Sequence, residues 1–101
     1  MSKSIMQQYD GRCYLCELLD QDYTEKPTEE HHVIYGTANH SLSERYGLKV
    51  RLCERHHRLG PESIHGGNRA VDLLLKQRAQ AAFEAKNPEL DFVKIFGKSF
   101  L

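Results

Sequence analysis

The sequence predicts one small α+β domain, tied together by a metal ion and finished by two C-terminal helices. Three observations predict it. Two cysteine-containing half-sites, Cys13-Tyr-Leu-Cys16 and Cys53-Glu-Arg-His56, have the spacing with which a tight turn grips one zinc ion. Between them lie two short β-rich runs. After them come apolar residues at helical spacing.

At 101 residues the chain has room for one core, and a core of that size gains from a metal staple. No run of about 18 apolar residues is present, so no membrane span is expected. The first residues, Met-Ser-Lys-Ser-Ile-Met-Gln-Gln, lack the apolar centre of a signal peptide. Three cysteines cannot close a disulfide framework, and two of them share a metal-binding spacing. The expectation is a cytoplasmic, reducing location.

In chain order, residues 1–11 suggest one helical turn closed by the turn dipeptide Asp10-Gly11. Residues 17–27 are acidic and weakly patterned, a surface excursion. Residues 28–35 carry β-branched and aromatic side chains up to Gly36 and suit a strand. Residues 37–47 form a polar loop with a helical turn after Ser41. Leu48-Lys-Val-Arg-Leu-Cys alternates with period two, a half-buried strand that can pair antiparallel with the first. A short helix runs from Cys53 to about Leu59 and stops at Gly60-Pro61. Asn68 then caps a longer helix to about Lys86, with Val71, Leu74, Leu75, Ala79, Ala82 and Phe83 on its core side. Pro88 opens a last helix through Phe96, closed by Gly97.

Two metal constellations follow. Cys13, Cys16, Cys53 and His56 fill a zinc tetrahedron and leave no open position, so this ion is structural. The alternative is buried free thiols beside an incidental histidine. The second constellation is His31, His32 and His57, with His65 nearby. Neighbours on a strand point to opposite faces, so His31 and His32 cannot both reach one ion from a regular strand. One can be a ligand and the other a base, since imidazole titrates near neutrality. The plainer reading is a set of polar surface histidines. Net charge is zero, yet the first 43 residues are acidic on balance and the rest basic. Arg45, Lys49, Arg51, Arg55 and Arg58 crowd the metal residues, a patch suited to phosphate or simply to solvent.

The residues Cys13–Cys16, Glu30-His31-His32-Val33 and Leu52-Cys53-Glu54-Arg55-His56-His57 resemble the HNH, or ββα-metal, endonucleases, whose core is treble-clef-like. The resemblance covers about residues 12–66 of a single domain 1–101, with 67–101 as a helical C-terminal part. It implies metal-dependent hydrolysis of DNA phosphodiester bonds. His32 would be the general base and His31 and His57 ligands of a catalytic ion, Mg²⁺ or Mn²⁺, with Ni²⁺ or Zn²⁺ as alternatives. His56 replaces the family's usual fourth zinc cysteine. The loop at 36–44 is similar to small phage-borne members, and to the recombination-enhancement branch that acts with the RecA recombinase. That branch implies a recombinase filament as partner, and a role for His65 in completing the ion site. The family's middle asparagine is missing before the second strand, where Tyr46-Gly47-Leu48 stands. Asn39 is the candidate to replace it, and Asn68 the alternative, although a turn residue and a helix cap are the simpler roles. His40 is left as a loop bystander. The competing function is a zinc-stapled adaptor that binds DNA or protein without turnover. A zinc hydrolase of small molecules is disfavoured, because the chain has little mass for a deep pocket and no His-Glu-x-x-His helix.

Overall fold

Cys13 stands at the start of the first helix. Its Sγ accepts the Cys16 backbone N–H and caps α1, Tyr14–Asp20. Leu15 is fully buried, and Leu18 and Leu19 pack against the core. Residues 17–20 therefore belong to a helix, not to the surface excursion expected there. The i, i+3, i+4 spacing of the three leucines was the available signal. It is short, and a cysteine is a rare cap.

The computed structural model describes residues 3–8, 11–61 and 63–101. Strand β1, Glu29–His32, pairs antiparallel with β2, Lys49–Leu52. The register sets Glu29 opposite Leu52, Glu30 opposite Arg51, His31 opposite Val50 and His32 opposite Lys49. The expected strands are in place but shorter at their ends. Between them α2, Asn39–Tyr46, is a full helix rather than one turn. Ser43 ties it to the strand exit through both the N–H and the carbonyl of Ile34. Gly47 closes α2 at φ +73°, and a side chain there would meet the Lys3 carbonyl. Residues 3–8 form a bend, not a helical turn, and Ser4 binds the Lys49 carbonyl. Asp10 of the expected Asp10-Gly11 turn lies outside the described residues.

After β2 the chain makes a π-turn, Arg55–Leu59, whose Gly60 N–H reaches back five residues to the Arg55 carbonyl. α3, Arg69–Lys86, is capped as expected, Asn68 Oδ1 accepting the Val71 N–H. α4 is Phe92–Phe96. Asp91 caps it by accepting two backbone N–H groups, and Pro88 sits in the preceding turn instead of opening the helix. Tyr46, Phe83, Phe92 and Phe96 meet edge to face or stacked, with centroids 4.6–6.2 Å apart, and join α2, α3 and α4.

The result is a small α+β unit with a two-stranded antiparallel sheet and several helices. Its radius of gyration, 13.0 Å, is that of a close-packed chain of this length. Among the described residues no helix is long and apolar enough to cross a membrane.

Candidate metal centres

α1, the end of β2 and the π-turn bring Cys13, Cys16, Cys53 and His56 together, all buried. Cys16 Sγ and Cys53 Sγ are 3.7 Å apart, and His56 Nδ1 lies 3.4–3.5 Å from all three sulfurs. Zinc bonds of about 2.3 Å to sulfur and about 2.0–2.1 Å to nitrogen give tetrahedral edges of about 3.8 Å and about 3.6 Å. The donor set therefore has the size and chemistry of a zinc site before any ion is considered. Lys26 Nζ lies 3.3 Å from Cys16 Sγ and Asp20 Oδ2 lies 4.0 Å from His56 Nε2. A cation on a thiolate and a carboxylate behind a ligating imidazole are what such a centre uses to tune its ligands. Without an ion, burial pushes the Cys13 thiol up to about 12 despite backbone N–H groups that favour the thiolate. Cys53 is also raised by burial, but hydrogen bonds from the His56 N–H and the other two thiols outweigh it and the net direction is down.

The second cluster is built by parity. On β1, His31 faces the π-turn, and His57 and His65 meet it there, with ring centroids 5.3 and 5.7 Å from His31. His57 Nε2 and His65 Nε2 are 3.0 Å apart. One ligand nitrogen from each of the three lies within 4.8 Å of the others. Bonds of about 2.0–2.1 Å give nitrogen separations near 2.9 Å for neighbouring octahedral ligands and near 3.3 Å for tetrahedral ones. His31 Nε2 is buried and has no hydrogen-bond partner, the orphaned atom that an ion would satisfy. Burial, helped by the neighbouring histidines, drives the His31 imidazole down to about 3. It is neutral, as a ligand must be. His65 is also lowered, by burial and then by His57 and Arg58. Its loop needs Gly66, where a side chain would collide with Ser63 Oγ.

His32 points the other way, as strand alternation requires. Its Nε2 is 2.8 Å from Glu44 Oε1 on α2 and 3.8 Å from Glu30. His40, from α2, lies with its ring 4.0 Å from that of His32, so it is part of this surrounding and not a loop bystander. The two carboxylates and His32 also fall within ligand distance of one another. Lys49 Nζ already supplies a cation there, 2.9 Å from Glu44 and 3.5 Å from Glu30. His32 and Lys49 hold the Glu44 carboxyl well below the usual carboxylate range, at about 2. A groove of about 510 Å³ opens beside Glu30 and Lys49, over the same face, and runs along Lys3, Gln7 and Arg51.

Of the expected phosphate contacts, Lys49 is buried and spent on this internal pairing, so the expectation of a surface cation fails there. Arg51 is tied to Thr28. Arg55 and Arg58 pair with Asp20 and Glu29, yet their side chains stay 56% and 54% exposed. Pairs that open contribute only about 0–1 kcal/mol, so either arginine can exchange its partner for a phosphate. Asn39 begins α2 with its amide on the Phe96 carbonyl at 3.5 Å, a link to α4. Asn68 is a helix cap. Sequence reasoning missed Glu29, whose Oε1 meets His57 Nδ1 at 2.8 Å. Its position two residues before His31 was the signal. It also missed Glu44, for which the strand gave none.

Compared with known protein families, curated proteins and solved structures, the chain matches none.

Proposed function

We propose that this chain is a metal-dependent DNA endonuclease of the HNH, ββα-metal type, with a structural zinc at Cys13, Cys16, Cys53 and His56. The observation that carries the reading is the convergence of His31, His57 and His65 on one point, with His31 Nε2 buried and unpartnered. A scaffold has no use for a second histidine cluster a few residues from its staple.

His31, His57 and His65 would hold a divalent ion, which would supply Lewis-acid stabilisation of charge on a phosphoryl oxygen. The protein supplies the rest. His32 gives Nε2–H to Glu44, which leaves Nδ1 to take a proton from water; because His32 and the ion cluster lie on opposite faces of β1, the phosphate has to straddle the strand between them. The water oxygen forms a bond to phosphorus as the bond to the leaving sugar oxygen breaks, and that oxygen is protonated from solvent. Arg55 and Arg58 stand on either side of His56-His57 and hold the backbone without reading bases, so sequence preference is low. The scheme assigns no step to Asn39, whose amide lies 3.5 Å from the Phe96 carbonyl. A recombinase filament that presents the DNA is compatible with so small a groove.

Plasmid nicking by purified protein, wild type beside His32→Ala, with Mg²⁺, Mn²⁺, Ni²⁺ and excess chelator, tests this. Ion-dependent nicking lost in the variant, by about 100-fold or more as removal of a general base predicts, is the expected outcome. Nicking that survives the substitution sinks the assignment of His32. No nicking with any ion, alone or with a recombinase filament on DNA, favours the zinc-stapled adaptor.

A further inference from the structure

We propose that Glu29 sets how tightly the His31, His57 and His65 cluster holds a divalent ion, and that Arg58 moderates it. The inference rests on reading that cluster as an ion site. Glu29 and His31 are two residues apart on β1, so the same alternation that turns His31 toward the π-turn brings the Glu29 carboxylate to its rim.

Glu29 Oε1 then takes two hydrogen bonds. His57 donates from Nδ1 at 2.8 Å, and Arg58 from Nε at 3.0 Å. A proton fixed on Nδ1 leaves His57 Nε2 bare, and Nε2 is the atom that faces the cluster. The 3.0 Å contact between His57 Nε2 and His65 Nε2 needs one proton between the two nitrogens. With His57 Nε2 bare, that proton sits on His65 Nε2, and an incoming ion would take its place as His65 changes tautomer, losing the Nε2 proton to solvent and gaining one at Nδ1. A carboxylate behind a ligating imidazole holds the ring's orientation and makes the nitrogen a better donor.

Arg58 uses the same oxygen and so draws off part of the charge that Glu29 offers to His57. Its side chain is half exposed and free to turn. A phosphate that attracts Arg58 returns the full carboxylate to His57, and the ion is held more tightly. By reciprocity the bound ion favours the phosphate by the same factor. Substrate and ion are coupled through one carboxylate oxygen.

The test is calorimetric titration of the zinc-loaded full chain with Ni²⁺, with no DNA present, and zinc content and melting temperature as controls for folding. Outer-shell partners of metal ligands are worth about 10–100-fold in affinity. Glu29 is half exposed, so Glu29→Ala is expected at the lower end, about 10-fold weaker. Glu29→Gln keeps an acceptor without the charge and falls between. Arg58→Ala is expected to bind Ni²⁺ more tightly than wild type, and to lose that advantage when combined with Glu29→Ala. Glu29→Ala within about twofold of wild type, at unchanged zinc content, overturns the inference and leaves the ion site standing. Arg58→Ala that weakens binding as Glu29→Ala does overturns the moderating role. A wild-type chain that takes up no Ni²⁺ beyond the zinc site overturns the reading of the cluster, and this inference with it.

Discussion

Cys16→Ala removes one corner of the proposed zinc tetrahedron and tests whether that staple holds the fold. Cys13, Cys53 and His56 would be left in a site where they are 0%, 7% and 0% exposed. Each buried polar group that loses its partner costs about 1–3 kcal/mol, so the three together cost at least about 3 kcal/mol. The ion itself weighs more. Structural zinc sites contribute about 10–16 kcal/mol of apparent binding energy in small peptides. A domain of this length is stable by about 5–15 kcal/mol in total. Loss of the ion is therefore comparable with the whole stability. Even the lower figure lowers the melting temperature by about 12 °C, at about 4 °C per kcal/mol. The assay is zinc content by atomic emission beside thermal unfolding followed by circular dichroism, with and without chelator. Wild type should hold one zinc per chain at this centre and lose its transition in chelator. Cys16→His gives zinc a permitted Cys₂His₂ set and should keep both zinc and most of the stability. A zinc-free Cys16→Ala protein that melts within a few degrees of wild type would refute the reasoning.

Two further outcomes are expected. Phe83→Ala empties the aromatic contact of α2, α3 and α4 and should cost about 3–5 kcal/mol, with zinc content unchanged; unfolding in urea measures it, and a cost under about 1 kcal/mol means the helices are not held by that ring. Gly66→Ala pushes the loop away from Ser63 and should move His65 out of the cluster; Ni²⁺ affinity should drop while the melting temperature changes by only a few degrees, and an unchanged affinity would exclude His65 as a ligand.

Much of the candidate site was legible because it is written in short-range spacing. Cys13 and Cys16, and Cys53 and His56, carry a metal bite in their separation, whatever lies between. The opposition of His31 and His32 follows from strand alternation and holds in the fold. The same rule, carried two residues back, would have found Glu29. The short helix after Cys53 was placed correctly, but its π form was not legible. That form depends on a hydrogen bond five residues long, and it sets His56 Nδ1 among the sulfurs while His57 Nε2 faces His65. Wide turns of this kind are rare and recur at functional sites.

The sequence by itself thus determined which residue types could bind metal, the pairing of two short strands, the cap of α3 and four of its buried side chains, Val71, Leu75, Ala79 and Phe83, but not the buried Gln80. Each of these rests on neighbours within a few positions, where backbone geometry fixes direction. Only the tertiary structure decided that α2 sets Glu44 against His32, that Lys49 turns inward as a counter-ion, and that Asn39 anchors α4. Those contacts join residues brought together by packing, and no local rule couples a helix side chain to the strand it will cross. Packing chooses such partners by shape and charge in three dimensions, after the local rules have done all they can.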